Sequence, residues 1–153
     1  MILPYSILYE DLRRRNITVD IKDIRYVVLD GNIANKFVKA IKRYDELLNE
    51  FSKEYEADFW DCDDFALLFK SVCGLYGFTC GYAEGGVFLS NQFYGMHAFN
   101  VIPYIVGEKL IWLVVEPQVI GVRGYNWYQV LPENYNKVNM LGLYVYEVNY
   151  VWL

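Results

Sequence analysis

The sequence predicts an α+β domain, with N-terminal helices packed on an antiparallel sheet. Three observations carry this expectation. Apolar residues recur at helical spacing through the first half, aromatic and β-branched runs fill the second half, and Gly, Pro and Asn separate those runs. The 153 residues suit one domain, 1–153, large enough to bury a core of its own.

In chain order, "ITVDIKDIRYVVL" (17–29) reads as an extended stretch ended by the turn signal "DGN". From Ile33 to about Tyr55, residues such as Phe37, Ile41, Tyr44, Leu48 and Phe51 line one side of a long amphipathic helix. A second helix runs from Asp61 to about Tyr76, with Phe65, Leu68, Phe69 and Val72 inward and Gly74 or Gly77 as its stop. The runs 79–89, 96–106, 109–119, 125–131 and 143–153 supply the strands.

Composition narrows the function. A net charge of -5 argues against a nucleic-acid partner, because Lys and Arg carry phosphate binding. The one basic cluster, Arg13-Arg14-Arg15, is expected on a solvated turn. The opening residues lack a basic start and a small-residue cleavage site, and "LIWLVV" is too short to span a bilayer. Neither a secretory signal nor a membrane partner is expected. Three cysteines suggest a reducing compartment, hence a cytoplasmic location. The 15 tyrosines and four tryptophans suit core and sheet packing; a sugar- or base-stacking surface is their other use.

The stretch "DFWDCDDFALLFK" (58–70) seats a thiol among aspartates at a helix start. Asp61 is a good N-cap, and Asp64 three residues on resembles the far half of a capping box. Cys62 then meets free backbone N–H groups and the positive end of the helix dipole, which favour a thiolate. Asp61, Asp63 and Asp64 work against it, so a reactive thiol needs a cationic partner. The single histidine, His97, is the available one. A hairpin turning near Gly107-Glu108 sets His97 on the same sheet face as Glu116, whether its loop has two residues or four. A carboxylate there can accept the Nδ1 proton and hold the ring. Cys62, His97 and Glu116 thus offer a nucleophile, a general base and an orienting acid. The rival is structural zinc on Cys62, Cys73, Cys80 and His97, but no C-x-x-C pair exists, and about 16 Å of helix separates Cys62 from Cys73. A nuclease using the aspartates with magnesium conflicts with the negative charge.

These residues resemble the transglutaminase-like branch of the papain-like cysteine enzymes. The likeness rests on Cys62 and Ala66 in "CDDFA", on "YGFTCGYAEGGV", on His97-Ala98-Phe99, and on Trp112 before Glu116-Pro117-Gln118. Glu116 stands where that family usually has Asp, and Phe99 where Trp is common. "DCDDFA" followed by "EPQ" is also similar to the cysteine-protease domain joined to some fungal agglutinin lectins. The resemblance implies a papain-like or transglutaminase-like core and a cysteine-dependent amide hydrolase, first of all a peptidase acting on a peptide or protein substrate. Glutamine transfer or deamidation comes next, and a non-enzymatic binding or adaptor domain on the same scaffold is the alternative. It implies catalysis by Cys62, His97 and Glu116. The Cys62 N–H is then one oxyanion donor, and Trp60 or Gln118 the second. No cofactor is required by this chemistry. Calcium or another divalent cation on Asp61, Asp63 and Asp64 is the one addition it suggests; acids favouring a helix N-terminus explain the same residues without metal.

Overall fold

The computed structural model describes residues 1–51 and 60–153. Its centre is an eight-stranded sheet built around β4 (Gly81–Leu89), β5 (Gln92–Val106) and β6 (Lys109–Val115). The β5–β6 hairpin turns through Gly107-Glu108, with Gly107 at φ +62, and pairs Val106 with Lys109 and Asn100 with Val115. The two-residue loop is therefore the one adopted, since glycine enters the left-handed region at no steric cost. Outside β6 lies β7 (Tyr128–Val130). On the other side, β10 (Tyr150–Trp152) pairs antiparallel with β4 and parallel with β2 (Thr18–Asp20). β9 (Tyr144–Glu147) takes over from β10 along the same edge of β4 and carries β8 (Lys137–Met140).

That exchange of partners happens at Gly85. A Cβ there would lie 1.5 Å from the Glu147 carbonyl oxygen, so only glycine lets β9 close onto β4. The consequence reaches the candidate site, because β9 brings Tyr146 opposite Val87.

Apolar side chains are buried on both faces of the sheet. On one face, Phe99, Val101, Trp112, Val114 and Tyr146 pack with Leu8 and Leu12 of α1 (Tyr5–Arg14). On the other, Ile102, Leu113 and Val115 pack with α2 (Ala34–Glu50) and α3 (Cys62–Leu75) through Tyr44, Phe65 and Phe69. A two-stranded ribbon, β1 (Ile2–Pro4) with β3 (Arg25–Val27), flanks this assembly. No described helix is long and apolar enough to cross a membrane.

The expected α+β layout is corrected. Among the described residues strand exceeds helix, 39% against 30%, and three short strands come before α2 instead of helices alone. These strands have three residues each, too few for a two-residue alternation to show. Helix α1 was also hidden, since its buried apolar face is only Leu8 and Leu12, one turn apart. The end of the expected helix 33–55, residues 52–55, lies outside the described residues. Arg13-Arg14-Arg15 is not a solvated turn. It closes α1, and Arg15 is buried, donating to Asp11 Oδ2 (2.8 Å) and to the carbonyls of Pro132 (2.6 Å) and Tyr135 (3.1 Å).

Candidate functional site

The site exists because β5 is longer than β6. β6 stops at Val115, whereas β5 continues back to Gln92, so its edge is left without a strand near Ala98. The start of α3 fills the gap. Cys62 is the first helical residue, and the Ala98 backbone N–H points at its Sγ from 3.5 Å. At that helix start the Asp61 N–H donates to Asp64 Oδ2 at 3.3 Å, one half of a capping box.

His97 sits beside Ala98 on the same strand. Its Nε2 meets Glu116 Oε2 at 2.5 Å, and the ring also bonds the Cys62 thiol. The nitrogen facing the carboxylate is therefore Nε2, not the expected Nδ1. Burial would lower the proton affinity of His97, but the bonds to Cys62 and Glu116 outweigh it and push its pKa up to about 9. The imidazole is thus cationic at neutral pH.

Glu116 is a buried partner, not a strand-end acid exposed to water. Besides His97 it accepts from the Tyr146 hydroxyl (2.6 Å) and the Gln118 backbone N–H (3.1 Å). Three donors satisfy this buried carboxylate and fix its direction. Burial first and the Glu116 charge second push the Tyr146 phenol well above its ordinary value, so it remains a donor. Behind Glu116, the Tyr44 hydroxyl donates to the Pro117 carbonyl at 3.0 Å and ties the 3₁₀ turn 117–119 to α2.

Around this group is a cleft of about 320 Å³ whose walls include Tyr94, Tyr144, Tyr146, Met96 and Leu141. Tyr94 and Tyr144 meet edge to face, with centroids 6.1 Å apart. A second hollow of about 360 Å³, past Cys62 and His97, is bordered by Asp63, Tyr82 and Glu84.

The structure brings Cys62, His97 and Glu116 together, and Gln118 lines the same cleft. Trp60 does not line it; its ring packs edge-on against Phe65, centroids 5.5 Å apart, below the start of α3. Zinc on all three thiols is ruled out by the unbroken α3, which keeps Cys62 and Cys73 at opposite ends, with Cys73 and Cys80 buried in the apolar cluster. Of the three aspartates, Asp64 is turned back onto the cap. Asp61, Cys62 and Asp63 place one donor atom each within 4.8 Å of one another. Asp63 holds its proton more tightly than an ordinary carboxyl, first because it is hydrogen-bonded to Asp61. Two facing carboxylates suit a hard cation whose remaining ligands are water, and the soft thiol does not.

Sequence reasoning missed Tyr146, Tyr144, Tyr94 and Met96. Tyr144 and Tyr146 did carry a signal, since their two-residue spacing in "LYVYEV" sets both on one strand face. What was not legible was that this strand lies against β4.

No protein-family model and no curated protein sequence matches the chain. Nine chains of solved structures do, two of which are as follows. One is described as "PSL1a-E64 complex", 19% identical, with a TM-score of 0.59 over 99% of this chain. The other is a crystal structure of Polyporus squamosus lectin bound to a human-type influenza-binding epitope, Neu5Acα2-6Galβ1-4GlcNAc, 18% identical, with a TM-score of 0.52 over 97% of this chain. This chain spans about half the length of each, 51% and 48%. At these identities the likeness shows the fold. It overturns the expected transglutaminase-like or papain-like membership, and with it the cysteine amide hydrolase, its glutamine-transfer variant and the peptide substrate. The fold is the one shared with the Polyporus squamosus lectin chains.

Proposed function

We propose that the chain is a non-enzymatic binding domain whose ligand is a saccharide seated in the cleft over Cys62, His97 and Glu116. The observation that carries this is the make-up of the cleft. Its wall includes three tyrosines, and its floor is an imidazole whose position is fixed by a buried carboxylate. A sugar ring offers apolar C–H faces that pack on aromatic rings, and hydroxyls that need fixed donors and acceptors. His97 then donates to a sugar oxygen, Glu116 and Tyr146 hold His97 in place, and the Gln118 amide and Cys62 border the ligand. The glycan bound by one structural neighbour supports the same ligand class. Calcium or another divalent cation, where present, is assigned to Asp61 and Asp63 and not to Asp64.

A glycan array probed with the wild-type chain and with His97→Ala and Tyr146→Ala tests this reading. Mass spectrometry of the protein and of the retained glycan completes it. The expected result is retention by wild type, loss in both variants, an intact glycan and an unmodified Cys62. Absence of any retained glycan, an acyl adduct on Cys62 or a cleaved ligand would overturn the reading.

A further inference from the structure

We infer that the ligand is an elongated saccharide carrying a protonated amine, and that it crosses both hollows with the amine in the one bordered by Asp63 and Glu84. This rests on the saccharide reading and adds the ligand's shape and charge.

The shape follows from continuity. The two hollows share Cys62, His97 and Met96, so they adjoin at the thiol and the imidazole, and a ligand long enough to pass Met96 reaches both. At about 320 and 360 Å³ each lies near the small end of ligand sites, so an occupant of both is longer than one compact group. Met96 is largely exposed where they adjoin, and its flexible thioether adapts to either side.

The charge follows from the walls. The first hollow is lined by Tyr94, Tyr144 and Tyr146, and its one carboxylate, Glu116, is already paired with His97. The second has two carboxylates, Asp63 and Glu84. The Tyr82 hydroxyl donates to Glu84 Oε1 at 2.7 Å, which holds that carboxylate in place and leaves Oε2 for a ligand. Asp63, on the first turn of α3, lines the same hollow. Among the described residues, neither hollow is lined by Lys or Arg. A carboxylate-bearing sugar would therefore meet acids at one end without a counter-charge. A sugar amine at that end meets two opposite charges instead, with its ring faces left to the tyrosines.

The test compares three probes by calorimetry in EDTA, so that no metal ion occupies the aspartates: glucosamine trimer, N-acetylglucosamine trimer, and α2-6-sialyl-N-acetyllactosamine. Each titration is paired with the NMR signal of His97, the single histidine, to show that binding is in these hollows. The expected result is that the glucosamine trimer binds about three- to tenfold tighter than its N-acetylated form. That advantage shrinks in high salt and disappears in the Asp63→Asn/Glu84→Gln double variant, whose positions are on the surface of α3 and β4. Equal affinity for both trimers, or preference for the sialylated probe, with His97 responding, would overturn the amine assignment alone. No binding of any probe would overturn the saccharide reading and this inference together.

Discussion

Two buried carboxylates in this molecule are built from almost the same parts. Asp11 accepts from Arg15, from Arg14 and, at 2.9 Å, from the Trp112 indole N–H. Glu116 accepts from His97, from the Tyr146 hydroxyl and from a backbone N–H. Each has a cation, an aromatic donor and one further donor. The difference lies in the cation. Arg15 cannot lose its charge and also serves two backbone carbonyls, so the Asp11 group ties α1 to the loop around Pro132. His97 can lose its proton, interacts with the Cys62 thiol as well as with Glu116, and borders an open cleft. A saturated, permanently charged network holds elements together. A titratable one beside a void is placed to meet a ligand.

Breaking the first network has the largest effect. Arg15→Met leaves Asp11 buried without its main partner and is expected to cost about 3–5 kcal/mol in urea unfolding, with the His97 signal unmoved in the folded fraction. Gly85→Ala comes next, at about 1–3 kcal/mol, because the new methyl group collides with the Glu147 carbonyl. Unlike Arg15→Met, it displaces β9 and so shifts the His97 resonance.

pH separates the two networks further. The Asp11 carboxyl is held below its ordinary value: burial opposes this, but the bonds from Arg15 and Trp112 outweigh it. Its contribution is present above about pH 4 and disappears on acidification. His97 is raised from 6.5 to about 9, so its contribution is complete below pH 6.5 and disappears as pH climbs through 9. Unfolding free energies between pH 6 and 10 are expected to fall by roughly 2–3 kcal/mol in wild type and to stay flatter in His97→Ala. Glu116→Gln removes one source of the shift, and the NMR titration of His97 should move to lower pH. The smallest effect belongs to Tyr146→Phe. Its lost hydrogen bond costs about 1 kcal/mol and frees Glu116 Oε2 for His97 alone, so the imidazole should titrate slightly higher. A downward move would show that the orienting effect of Tyr146 on Glu116 outweighs its competition for Oε2.

Local chemistry was legible in the sequence where a rule acts over a few residues. The helix start at Asp61-Cys62 follows from capping, and the Gly-Glu turn narrows the hairpin to two registers, of which the two-residue loop pairing Asn100 with Val115 is adopted. The hairpin sets His97 and Glu116 on one sheet face, while Cys62 joins them only because the start of α3 docks on the β5 edge at Ala98. The rest depends on contacts between distant segments. Arg15 looked like part of a solvated basic run, but two of its partners, the carbonyls of Pro132 and Tyr135, are more than a hundred residues away. Tyr146 reaches Glu116 only because Gly85 admits β9 against β4, which no local period reveals. The motif residues were readable, but their likeness to a hydrolase was not a guide to the fold, which is shared with lectin chains.

The most direct test of the central claim is a ¹H–¹³C spectrum of the His97 imidazole, recorded at pH 7 while N-acetylglucosamine and glucosamine trimers are added in turn. The expected result is a ring already protonated before addition and a saturable shift with at least one trimer, lost in Tyr146→Ala, with Cys62 unchanged in mass. A neutral ring at pH 7, or a resonance that neither trimer moves, would contradict it.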